Sequence, residues 1–159
     1  MNQADSTVRK MWQEYLESIG ETPKSTSLSY TAWHFCNTQT AADQLAELVL
    51  KQEKRATASA LWSIEAEGEP LPQVGELSII TDWKGTAKCI IKTVLLETVP
   101  FNEVTADFAA AEGEGDKSLE YWRKVHKEVF SQELSELGLN FSEEMPVLCE
   151  RFEIIWRPH

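Results

Sequence analysis

The sequence predicts a mixed α+β domain, in which a small β-barrel or strongly bent sheet carries helices on its outside. Three observations lead there. Apolar residues recur at helical spacing early in the chain and again before the last extended segment. Period-two alternation dominates the middle and the end. Prolines and glycines mark the boundaries between these stretches.

The elements follow in order. Val8, Met11, Trp12, Tyr15, Leu16 and Ile19 make one helical face, and Gly20 is placed to end that helix. ETPKSTSLS reads as a linker, so residues 1–24 form an N-terminal helix and linker ahead of a domain over residues 25–159. TAWHFC reads as a short strand. Thr38 or Thr40 caps a second helix, whose inward face is Ala42, Leu45, Leu48 and Val49. In ATASALWSIEAE, Thr57, Ser59 and Leu61 alternate with Ala58, Ala60 and Trp62, which predicts an extended segment. EGEPLPQVG is a loop, and two strands flank a turn at Asp82-Trp83-Lys84-Gly85. A proline break and one short helix come next. Asp116 then caps a long amphipathic helix bearing Leu119, Trp122, His126, Val129 and Phe130. In the closing strand, Leu148, Glu150, Phe152, Ile154 and Trp156 share a face. Trp12, Trp122 and Trp156 fall on apolar rows and belong to the core. Trp33, Trp62 and Trp83 lie at strand ends or turns.

Composition narrows the function classes. The chain has 159 residues, 42% of them hydrophobic and 26% charged, as in an ordinary soluble globule. Its apolar runs are too short to span a membrane, and MNQADSTVRK lacks the apolar core of a signal peptide. Three cysteines without a CxxC read as buried thiols in a reducing compartment, so a cytoplasmic location is expected. The net charge is −11, and residues 101–159 alone carry 13 acids against 6 bases. That field repels a long phosphate backbone and favours a small ligand.

No metal or cofactor is expected. EGEGD has alternating acids but not the glutamate that closes a calcium loop, and His34, Cys36, Cys89, His126 and Cys149 are too scattered for a zinc set. GxSxG and a Gly-rich phosphate loop are both missing. His126 sits along the apolar helical face between Trp122 and Phe130, where a histidine is ordinarily structural. Lys54 with Thr57 is more specific. Lys51, Lys54 and Arg55 at a helix C-terminus complement its dipole. A lysine half-buried beside a barrel mouth, however, loses solvation, its pKa falls, and it serves as a base toward Thr57; Ser59 shares the face of Thr57.

Four stretches together resemble the ASCH domain family in its bacterial stand-alone form: AADQLAELVLKQEKRATASALW, EPLPQVGELSIITDWKGTAKCII, PFNEVTADFAAAEGEGDKSLEYWRKVH and VLCERFEIIW. The likeness runs from about residue 30 to about residue 157. It implies a PUA-like fold, a small mixed β-barrel with peripheral helices. It also implies a ligand that is either an acylated pyrimidine nucleoside or single-stranded RNA. A small bacterial relative removes the acetyl group of N(4)-acetylcytidine with a lysine, a threonine three residues on, and a downstream glutamate. Those positions match Lys54, Thr57 and Glu112 here, so the resemblance implies an amidohydrolase, with Trp33 or Phe35 stacking the pyrimidine and Ser59 beside it. A non-catalytic RNA-binding module and a ribonuclease acting on single-stranded RNA are the alternatives; Lys54 and His126 are the residues the ribonuclease would use. Two departures bear on the shape of the cleft. Gln52 and Cys36 stand where relatives usually have glycine, whose backbone freedom they lack.

Overall fold

The computed structural model describes residues 3–158. The mixed α+β class is the one observed. Five helices accompany five strands, which hydrogen-bond in the order β1-β3-β4-β5-β2. The chain divides into two compact units, and β4 (Ala87–Pro100) and β5 (Pro146–Trp156) contribute to both.

The first unit comprises residues 1–52, 75–92 and 153–159. Its helix α1 (Gln3–Ser18) buries Val8, Met11, Trp12 and Leu16 against Leu77 and Ile79 of β3 (Leu77–Thr81) and Ile90 of β4. Gly20 ends the helix in a left-handed turn (φ 78°), with Gly20 N–H donating to Glu17 O at 3.1 Å and Glu21 N–H to Leu16 O at 2.8 Å. Only glycine takes that conformation without cost. β1 (Thr31–Trp33) runs parallel to β3, while β3 and β4 form the expected hairpin about Asp82–Gly85, with Gly85 N–H donating to Asp82 O. Thr38 caps α2 (Gln39–Leu50) by accepting from Ala41 N–H. The buried face of α2 is Ala42, Leu45, Ala46 and Val49; Ala46 takes the inward place expected for Leu48, which is half-buried.

The second unit comprises residues 53–74 and 93–152. β2 (Ala56–Ala60) pairs antiparallel with β5, Thr57 opposite Glu150 and Ser59 opposite Leu148. The expected extended run through Glu67 stops at Ala60, where α3 (Leu61–Glu67) begins. Its residues tolerate a helix, and Gly68 closes it in a left-handed cap (φ 67°). Thr105 caps α4 (Ala106–Glu112), and Ser118, not Asp116, caps α5 (Leu119–Glu136) by accepting from Tyr121 N–H at 3.1 Å. Asp116 instead accepts from Ser118 N–H at 2.9 Å, and the Ser118 side chain first, with this bond after it, holds its carboxyl below the ordinary value. Phe101, Phe108, Trp122, Phe130, Leu134, Met145 and Val147 form the core of this unit. Val129, expected on the inward face of α5, is 49% exposed. Along β5, Val147 and Cys149 face this core, rather than the row Leu148, Glu150 and Phe152. Cys36 is exposed, contrary to the expectation for all three thiols; Cys89 and Cys149 are buried, and burial pushes both up to about 12.

Candidate active site

A set of charged side chains converges inside the second unit. Lys54 stands just before β2. Its backbone is fixed by neighbours: Arg55 N–H donates to Ala111 O at 2.7 Å, and Phe152 N–H donates to Arg55 O at 3.1 Å. Glu112 is the last residue of α4, and Gly113 then turns the chain in the left-handed region (φ 72°). A Cβ at Gly113 would collide with the carbonyl oxygen of Glu53, so the helix end packs directly on the segment carrying Lys54. This close approach delivers Glu112 to Lys54.

The Lys54 ammonium donates to Ala56 O at 2.8 Å, Glu112 Oε1 at 3.2 Å and Glu114 Oε2 at 2.9 Å. An ammonium has three donors to offer such acceptors. Glu112 Oε2 accepts from Trp122 Nε1 and lies 3.0 Å from His126 Nε2. The other ring nitrogen, His126 Nδ1, is 2.9 Å from Trp122 O. The imidazole stacks on the Trp122 indole, centroids 4.2 Å apart and planes 15° from parallel. Neither a carbonyl nor an ionised carboxylate has a proton to give. Both ring nitrogens therefore donate, which is the imidazolium form.

The electrostatics agree with that geometry. Burial works to lower the Lys54 pKa, but the Glu112 and Glu114 carboxylates outweigh it and the net shift is upward. The lowered pKa expected from desolvation is thus corrected: Lys54 is a fixed cation and has no lone pair with which to act as a base. Burial likewise works to raise Glu112, yet Lys54, His126 and the Trp122 N–H bring it down to about 2. Burial opposes the charge on His126, and Glu112 with the Trp122 carbonyl reverses that, so its pKa is raised.

The expected residues fall into groups. Lys54 and Glu112 meet. Thr57 and Ser59 are half-buried on β2, where strand alternation puts them on the face opposite Ala56, Ala58 and Ala60, which pack on the core. Their face also carries Glu150, whose Oε2 accepts from Thr93 Oγ1 at 3.1 Å. Trp33 and Phe35 belong to the first unit, where their rings meet edge to face at 4.8 Å. Sequence reasoning did not single out Glu114, and it set His126 beside Lys54 only for the ribonuclease alternative. Glu114 is an ion-pair partner of Lys54, and His126 is an ion-pair partner of Glu112. The detectable signals were the left-handed glycine between two acids and the four-residue step from Trp122 to His126.

Glu112, Glu114 and His126 bring ligand-type atoms within 4.8 Å of one another. The Lys54 ammonium already lies on both carboxylates, so a divalent ion would have to displace it. This donor set fits an internal counter-ion, not a metal. Among the described residues, no helix is long and apolar enough to cross a membrane. The two positions that depart from the glycine pattern keep a left-handed backbone, φ 57° at Cys36 and 61° at Gln52.

A family model described as the ASCH domain matches residues 31–156. Among solved structures, an ASCH domain from Lactobacillus crispatus JV V101 is 37% identical, with TM-score 0.88 over 96% of each chain. A protein from Enterococcus faecalis V583 is 31% identical, with TM-score 0.82 over 94% of this chain and 88% of that one. No curated protein matches.

Proposed function

The chain belongs to the ASCH domain family, with its PUA-like fold, and from that premise we propose that it hydrolyses the amide of N(4)-acylcytidine-type nucleosides at Lys54 and Glu112. The carrying observation is an ammonium 1% exposed and a carboxylate 2% exposed, held 3.2 Å apart. Burying such charges costs several kcal/mol per ion, and stability alone repays that poorly. Buried, perturbed charges are concentrated where chemistry needs them.

Because Lys54 keeps its proton, its role is electrostatic. It donates to the amide carbonyl oxygen as negative charge develops there. Glu112 stays ionised and takes the proton of the attacking nucleophile. The low basicity imposed by its neighbours makes Glu112 a weak base toward the nucleophile and a ready donor of that proton to the leaving amine. A lysine that cannot act as a base favours water as the nucleophile, with the Thr57 hydroxyl positioning substrate from β2. An acyl-Thr57 intermediate is the competing route.

The test is hydrolysis of N(4)-acetylcytidine by purified protein. Turnover is expected to fall about 10²–10⁴-fold in both Lys54→Ala and Glu112→Gln. Thr57→Ser is expected to retain most of it, and wild-type protein with substrate is expected to show no acyl-Thr57 in the intact mass. Hydrolysis surviving in both charge variants overturns the assignment. Salt-sensitive binding of single-stranded RNA, with no turnover of any acylated cytosine nucleoside, replaces it with the binding reading.

A further inference from the structure

The charged residues of the site differ in their access to water. The side chains of Lys54 and Glu112 are 1% and 2% exposed, whereas Glu114 is 23% exposed. Of the acceptors Ala56 O, Glu112 and Glu114, the first two are fixed from within. Ala56 O lies in the β2–β5 ladder, and Glu112 is held by Trp122 and His126. The third, Glu114 Oε2, is the acceptor with an open side.

The backbone beneath Glu114 is firmly held, and its side chain, bonded to Lys54, keeps one side open to water. A Cβ at Gly113 would meet Glu53 O, and one at Gly115 (φ 59°) would meet the Tyr121 ring, so main chain packs tightly on both sides. Lys117 N–H donates to Glu114 O at 3.0 Å. The carboxylate is already partly hydrated, so swinging it to water loses one ion-pair contact without moving the main chain. Lys54 is buried, so losing this contact is costly unless another acceptor takes its place on the ammonium.

We infer that the Glu114 carboxylate closes the solvent side of Lys54, and that a substrate carbonyl oxygen takes its place on the ammonium. The nature of that substrate rests on the hydrolase reading; the control of access does not. Glu114 is on this view a positioning residue. It keeps Lys54 screened and charged until an acceptor of comparable strength arrives, and its negative charge disfavours an anionic substrate at the entrance.

The experiment reads access and turnover separately. An amine-acylating reagent, which attacks only the un-ionised fraction of a lysine, is applied at about pH 9 to wild type, Glu114→Ala and Glu114→Gln, and modification of Lys54 is followed by peptide mass analysis; its rate reports the opening of Lys54 together with the loss of the Glu114 charge that holds the proton. Reactivity of buried Cys149 is followed in the same samples to report unfolding, and Glu114→Asp, which keeps the charge on a shorter arm, serves as a third variant. Lys54 labelling is expected to rise at least about tenfold in Ala and Gln while Cys149 stays protected, with a lower KM for N(4)-acetylcytidine. A Lys54 labelling rate unchanged from wild type in both variants overturns the inference, whatever the turnover. Raised labelling with no turnover by any form, wild type included, overturns the hydrolase reading and supports the access role. If Cys149 becomes reactive in Ala and Gln, Glu114→Asp decides. Partial opening of Lys54 in that variant supports the role, and wild-type protection overturns it.

Discussion

Replacing Glu112 by Gln keeps the shape of the site and removes one buried charge. In the wild type, burial pushes this carboxyl up, but Lys54 and His126 bring it from 4.5 to about 2. A depression of that size is worth about 3 kcal/mol at neutral pH. Breaking a buried ion pair from one side costs about 3–5 kcal/mol by the general rule, so two routes agree on the magnitude. Because the folded pKa is depressed, the contribution is fully present above pH 4.5 and disappears as pH falls through about 2. In urea, with a slope of about 2 kcal/mol per molar, the Glu112→Gln midpoint at pH 7 should fall by about 1.5 M. The gap from wild type should narrow between pH 4.5 and pH 2. Tryptophan fluorescence and circular dichroism, recorded together, report the transition. A midpoint at pH 7 unchanged within about 0.5 kcal/mol refutes the claim that Lys54, Glu112 and His126 form one coupled buried network.

Two further outcomes follow from the same geometry. Gly113→Ala places a Cβ against Glu53 O at a left-handed position; it should cost about 2 kcal/mol or more and abolish hydrolysis, measured by thermal melting and turnover. For His126, the sign is opposite to that of Glu112. Its folded pKa is raised, so its contribution is complete below pH 6.5 and is lost as pH rises through the folded value. The stability difference between wild type and His126→Gln should therefore be larger at pH 6 than at pH 9, and an equal difference at both contradicts the imidazolium assignment. Glu112 and Glu114 face that ring, along with the Trp122 carbonyl.

What could be read from the sequence was local. The α1 face, the Thr38 cap and the Asp82–Gly85 turn each depend on residues within a turn or two of one another. The boundary between β2 and α3 was missed because the alternation of small residues in ATASA continues for two residues into a helix. Asp116 and Ser118 are both good caps, and the backbone between them decides which one serves. The site was only partly legible. Glu112 entered through a resemblance, not through its spacing. Glu114 and His126 depend on how α4, the Gly113 turn and α5 come together around Lys54, 58 residues away from Glu112 in sequence. Periodicity carries no such information. The direction of the Lys54 shift was misjudged for the same reason. Burial was foreseen, but the second carboxylate was not, and it is the pair that overcomes desolvation.

The same point sharpens the role of the two missing glycines. Cys36 and Gln52 adopt the left-handed backbone that glycine would have taken. The turn preceding Lys54 is thus retained at a cost of about 1–2 kcal/mol for a residue with a Cβ. The substitution changes the strain there and leaves the Lys54 ion pairs formed.

The most direct measurement is an NMR titration of the Lys54 side-chain amine in protein labelled at lysine, from pH 6 to pH 11. A lysine held charged by Glu112 and Glu114 has its midpoint above the ordinary lysine value of 10.5. A Lys54 midpoint below that value, toward neutrality, contradicts the assignment of Lys54 as a fixed cation and restores it as a base.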